Sequence, residues 1–162
     1  MSNILRQYEI FQNEEKIPYI KEINKYILDD FFYTEDELTD QMQIIEECIQ
    51  IGRYEAEHDY IIARNSSKEI KGIYQTAIGG VNEVIFSRRN IALFLALLGA
   101  YDFFAIHNHP NGVLDASEGD LVADGYIKGL GNILEIPCIG TYIITDVGWV
   151  NVLSNKINYF NE

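Results

Sequence analysis

The chain has 162 residues, 48% of them hydrophobic, which is enough to bury the core of one ordinary domain. Its formal net charge of −13 repels phosphate backbones, and Arg88 and Arg89 are too few to make a basic patch, so nucleic-acid binding is disfavoured. The longest apolar run, residues 91–100, is about half of a membrane span and no leader-like segment opens the chain; a soluble cytoplasmic protein with no membrane contact is expected.

The first thirty-odd positions are acidic and aromatic. Pro18 breaks a short apolar piece, and Ile23, Tyr26 and Ile27 then recur at helix-like spacing, so residues 1–33 read as an extended arm followed by a short helix belonging to the same unit. Residues 34–162 read as the main domain. Thr34 before Glu35, Asp36 and Glu37 has the pattern of an N-cap with an acidic first turn, and Leu38, Met42, Ile45 and Ile49 continue at helical spacing until Gly52. From His58 the pattern becomes that of a buried strand, residues 65–68 make a turn, and residues 70–78 form a second strand ending at Gly79 and Gly80. A third short strand is expected at residues 84–86. Ser87 caps a nearly all-apolar helix that should be buried and should stop at Gly99. Residues 103–106 predict a central strand running into His107; Ser117 opens another helix through about Leu130; and residues 139–144 and 149–153 close the chain as two strands. This order predicts an α/β fold, a mixed sheet flanked by helices. Cys48 and Cys138 lie ninety residues apart in apolar surroundings and read as two buried thiols rather than a metal or redox pair.

Chemistry concentrates at one place. Two of the three histidines stand in His107-Asn108-His109-Pro110, directly after an apolar strand. Residues two apart on extended backbone project to one side, and Pro110 favours extended conformation at His109. Ser117 and Asp120, three apart, share a face of the following helix. Two imidazoles and a carboxylate make a three-ligand set that leaves zinc an open fourth position. Taken alone, Ser117-Glu118-Gly119-Asp120 is a capping box with Asp in the Glu place, and an isolated histidine at a strand end is a hydrogen-bonded structural residue. Their combination favours the metal site.

His107-x-His109-Pro110 followed by Ser117-x-x-Asp120 resembles the JAMM motif of JAB/MPN metalloproteins, and most specifically their RadC-like branch. Similarity extends back through Glu57-His58 to Gly79, Gly80, Val81 and Asn82, forward to Leu134-Glu135-Ile136, and covers roughly residues 8–153. The resemblance implies a JAB/MPN sandwich of the cytidine deaminase-like kind. It implies Zn²⁺ held by His107, His109 and Asp120, Ser117 stabilising an oxyanion, and Glu57 as general base. Without the resemblance, Glu57 would read as a solvated acid at a helix-to-strand joint, and Glu55 would be an equal candidate. One departure stands out: where RadC-like proteins commonly have Asp-His before the penultimate strand, this chain has Gly140-Thr141.

The expected activity is that of a zinc metallopeptidase acting on a peptide or isopeptide bond, with a protein or peptide substrate that includes ubiquitin-like conjugates. Two alternatives are a DNA-repair-associated factor, against which the net charge argues, and a non-catalytic MPN scaffold, against which the intact motif argues. The aromatic start, Tyr8 to Tyr33, reads as packing on the domain's own core, with docking or a homodimer contact as its second use.

Overall fold

A computed structural model describes residues 3–78 and 87–160. The strand expected at residues 84–86, and Gly79 to Asn82, lie outside the described residues. Among the described residues, eight strands form one mixed sheet: β1 (Ile4–Gln12), β2 (Pro18–Ile27), β3 (His58–Arg64), β4 (Ile70–Ile78), β5 (Asp102–Asn108), β6 (Cys138–Ile144), β7 (Gly148–Asn151) and β8 (Ile157–Tyr159), in the spatial order β2-β1-β4-β3-β5-β6-β7-β8. Helix α1 (Glu37–Ile49) covers one face, and α2 (Arg88–Leu98) and α3 (Glu118–Leu134) cover the other. The α/β class read from the sequence is the one observed. Among the described residues, no helix is long and apolar enough to cross a membrane.

Strand parity sorts the core into these two layers. Along β5, Phe104 and Ile106 pack with Met42, Ile45 and Ile49 of α1. Phe103 and Ala105 point the other way, to Phe94 and Leu95 of α2 and Ile127 of α3. The same alternation on β3 sends Tyr60 and Ile62 to the α1 side and Ile61 and Ala63 to the α2–α3 side. Because side chains alternate along a strand, His107 continues the α2–α3 face and Asn108 the α1 face.

The start of the chain departs from expectation. Residues 4–27 form the antiparallel hairpin β1–β2, not an arm and a helix, and β1 joins the sheet by pairing in parallel with β4. The helix-like spacing of Ile23, Tyr26 and Ile27 has a local cause. Gln7 pairs with Asn24 while Tyr8 pairs with Glu22, so Ile23 is an extra residue that interrupts the two-residue period. Tyr8 does pack on the domain's own core beside Phe94, whereas Phe11, Tyr19 and Phe32 are exposed.

The helices start and stop for identifiable reasons. Asp36, not Thr34, caps α1: its carboxylate accepts from Thr39 N, while Thr34 N and Oγ1 donate to Asp40. Ser87 caps α2 and Gly99 ends it with φ of 67°. The apolar run of α2 is buried on one side only, through Ile91, Phe94 and Leu95; Leu97 is 49% exposed because no further layer among the described residues covers that side. Helix α3 runs four residues past the expected end, to Leu134, with Glu135 as its left-handed cap. Gly131 lets it lie close to the sheet edge, since a Cβ there would stand 2.8 Å from Ile136 O and 3.2 Å from Phe103. The three-residue β8 was not anticipated.

The central register is clamped at one end by a buried bidentate pair. Arg64 Nε and an Nη donate to Asp102 Oδ1 and Oδ2 at 2.7 and 2.8 Å, from directly paired positions of β3 and β5. Removing one partner strands a buried charge, so Asp102→Ala should lower unfolding free energy by about 3–5 kcal/mol. Glu22→Ala, which breaks the exposed Arg6–Glu22 pair, should cost under about 1 kcal/mol. Urea denaturation of both variants checks the contrast, and equal losses would contradict it.

Candidate metal centre

Residue His107 stands near the C-terminal end of β5, paired with Asp59 of β3 on one side and Ile143 of β6 on the other. His109 follows in a tight turn: Gly112 N donates to His109 O at 2.8 Å, and Gly112 has φ of 72°, a conformation suited to glycine. The turn brings Val113 O to 3.0 Å from His109 Nδ1. A carbonyl only accepts, so Nδ1 carries a proton and Nε2 is left as the ring's ligating nitrogen. Asp120 is the third residue of α3. It completes a capping box in which Ser117 Oγ accepts from Asp120 N while Ser117 N and Oγ donate to Asp120 Oδ2 at 2.7 and 2.8 Å.

These three residues converge. His107 Nε2 lies 3.2 Å from His109 Nε2 and 3.0 Å from Asp120 Oδ1, and His109 Nε2 lies 3.4 Å from Asp120 Oδ2. Tetrahedral ligands at about 2.0–2.2 Å from an ion stand roughly 3.3 Å from one another. The two Nε2 atoms stand close to that spacing, and each has a different oxygen of Asp120 within 3.4 Å, so the group can hold a metal ion. All three side chains are largely buried yet retain some exposure, 11, 16 and 12% for His107, His109 and Asp120.

The electrostatics suit a cation. Burial pushes the Asp120 carboxyl up, but hydrogen bonds with His107 and His109, the charge of His107 and the Ser117 N–H outweigh it and hold the group well below the usual carboxylate range. The hydrogen bond with Asp120 likewise raises His109 above its ordinary 6.5, against burial, with the charges of Asp120 and Glu57 helping.

Glu57 stands one residue before β3. It is half-buried and its charge bears on both His109 and Asp59, whereas Glu55 is exposed. The thiols lie elsewhere: Cys48 and Cys138 are free and half-buried, with burial pushing each up to about 11.

A family model described as the RadC-like JAB domain matches residues 37–157. The chain belongs to this family. The matched span holds Glu57, His107, His109, Ser117 and Asp120, while the β1–β2 hairpin lies outside it. A UPF0758 protein of Carboxydothermus hydrogenoformans is 27% identical over 108 residues, 67% of this chain and 48% of that one. A UPF0758 protein of Chlorobaculum parvum is 22% identical over 151 residues, 91% and 62% of the two chains. One from Staphylococcus aureus is 30% identical over 108 residues, 65% and 48%. The chain thus spans about half the length of most of these relatives.

Two features of this RadC-like domain escaped sequence reasoning. Thr141 donates from Oγ1 to Asp124 Oδ1 at 2.6 Å, and Lys128 donates to the same carboxylate at 2.9 Å. Asp59, beside His107, lines with Asp120, Asp124 and Thr141 a cavity of about 20 Å³ under α3, room for about one water. No motif marks Asp59; its place after Glu57-His58 was the only signal available. Burial pushes its carboxyl up to about 7; the charge of His107 opposes this, and Glu57 and Asp120 reinforce it.

Folded Asp59 thus holds its proton to about pH 7, whereas an unfolded aspartate releases it near 3.8. The native state binds more protons between these values, so this residue's effect on metal-free stability worsens as pH rises from about 4 to about 7 and levels beyond. Asp59→Asn should therefore stabilise the metal-free protein little at pH 4 and by a few kcal/mol above pH 7. Denaturation at several pH values in chelator checks this, and a gain that does not grow across that range would contradict it.

Proposed function

We propose that this domain is a zinc-dependent hydrolase of peptide or isopeptide bonds, with His107, His109 and Asp120 holding the ion. The observation that carries the reading is the convergence of two imidazoles and one carboxylate, with the two Nε2 atoms 3.2 Å apart and each within 3.4 Å of an oxygen of Asp120. Bound zinc would supply Lewis acidity, acidifying water at neutral pH and polarising a carbonyl. The chain's own residues do the rest.

The carboxylate of Glu57 takes the proton from the attacking water and later returns it to the leaving amine. The Ser117 hydroxyl, which donates to Asp120 Oδ2, keeps that carboxylate oriented and would be the donor to the developing oxyanion. Asp120, held ionised by its partners, neutralises part of the ion's charge. A protein or peptide substrate agrees with the net charge of −13, which disfavours nucleic acid. A chain ending in a lysine isopeptide, as in ubiquitin-like conjugates, falls within the class.

Purified protein should contain near-stoichiometric zinc, and His107→Ala, His109→Ala or Asp120→Ala should each remove most of it. Glu57→Gln should keep the zinc and lower hydrolysis of a responsive peptide or isopeptide substrate by about 10²–10⁴-fold, with Glu55→Gln nearly unchanged. Metal analysis beside a cleavage assay checks both; zinc content equal to wild type in all three ligand variants would overturn the reading. Since ion and proton compete for His109 Nε2, apparent zinc affinity should fall as pH drops through the raised His109 pKa, above 6.5. Affinity flat from pH 8 to 5.5 would contradict that ligand assignment.

A further inference from the structure

Between the two ligand histidines stands a residue that neither the motif nor the proposed chemistry uses. Asn108 is fully buried, and strand parity turns it to the face opposite His107 and His109. There its side chain meets the segment that carries Glu57. Asn108 Oδ1 accepts from His58 N at 2.7 Å, and Nδ2 donates to Ala56 O at 3.1 Å and Tyr54 O at 3.4 Å.

The pattern is that of a strand ladder continued by a side chain. Backbone pairing of β3 with β5 ends at Asp59 and His107. One residue further, the Asn108 amide takes the role of a peptide group, with an acceptor for the residue after Glu57 and donors for the residues before it. Both peptide groups that flank Glu57 are thereby fixed to the residue between His107 and His109. Two further contacts steady the segment from its other side: the Tyr54 ring stacks on His58 at 4.2 Å, and Gln75 Nε2 lies 2.7 Å from His58 Nδ1.

We propose that Asn108 positions Glu57 relative to the metal site, so that one tripeptide, His107-Asn108-His109, holds the ion with its outer residues and the proton acceptor with its middle one. The inference rests on the reading of Glu57 as proton acceptor. A three-bonded, buried amide is specific for this task. Aspartate lacks the donors, alanine lacks both functions, and serine retains a single hydroxyl. Asn108 is neutral, so it can alter the charge felt at the ion only by moving something else.

The test needs no substrate. In the cobalt(II)-loaded protein, the pH midpoint of the visible spectrum reports proton loss at the site. Glu57→Gln removes a nearby negative charge, which eases proton loss and should lower that midpoint. Asn108→Ala should shift it in the same direction by at least about 0.5 pH unit, roughly threefold in the equilibrium, and should shift it no further when added to Glu57→Gln. Cobalt stoichiometry should stay at the wild-type level. Where Asn108→Ala does not fold, Asn108→Ser takes its place, with the same shift expected in part.

An equal shift on the Glu57→Gln background would mean that Asn108 acts through the histidines, and no shift on either background would mean that it does not act on the site; either overturns the proposal. A midpoint unmoved by Glu57→Gln itself overturns the proton-acceptor reading of Glu57, and this proposal with it. The two failures are thereby told apart.

Discussion

Everything at the candidate metal centre depends on the pairing register of β3 with β5. Side chains alternate along a strand, so a slip of one residue would turn His107 into the core beneath α1 and bring Asn108 to the ion. The register is secured at both ends by side chains in paired or adjacent positions. Arg64 and Asp102 form a buried bidentate pair at one end, and Asn108 bonds His58 N and Ala56 O at the other. The apolar residues between them, Ile61 and Ile62 against Ala105 and Phe104, fit their two helical layers in this register, and a one-residue slip would exchange the layers.

On that frame the site is assembled from ordinary local devices turned to a second use. A capping box starts α3, and its acid is also the carboxylate donor. A glycine turn returns the chain after Pro110, and its carbonyl fixes which nitrogen of His109 is free. Each device would satisfy backbone or ring groups without an ion; together they gather two imidazoles and one carboxylate at one place. Without a cation, the hydrogen bonds that hold Asp120 ionised also raise His109, so proton and metal compete for one small space. Asp59 adds a carboxyl beside His107 whose ionisation burial resists. A bound cation would favour its charged form, which couples this buried acid to metal loading.

Much of this was legible in the residues. The helix around Met42 follows from its helical period, and the helix around Phe94, the β3–β4 hairpin and the run from Phe103 into His107 follow from continuous apolar runs bounded by caps and turn residues. The two histidines were legible from their spacing at the end of an apolar strand, and Asp120 from the motif that the sequence resembles. What stayed hidden depends on context at longer range. The bulge at Ile23 made β2 mimic helical spacing, and it is defined only by pairing with the distant Gln7 and Tyr8. Asp40 takes up Thr34 and leaves the cap of α1 to Asp36. Asn108 and Asp59 draw their importance from cross-strand neighbours that are adjacent in the sheet but distant in sequence, which spacing along one strand does not reveal. Exposure of Leu97 likewise follows from what packs around the helix, not from the helix's own sequence.

X-ray absorption at the zinc edge of the loaded protein tests the central claim most directly. The account predicts a first shell of nitrogen and oxygen only, at about 2.0–2.1 Å, with outer-shell scattering from two imidazoles and one open position filled from solvent. A sulfur contribution near 2.3 Å, which would place the ion at Cys48 or Cys138, or a shell with no imidazole signature, would contradict it.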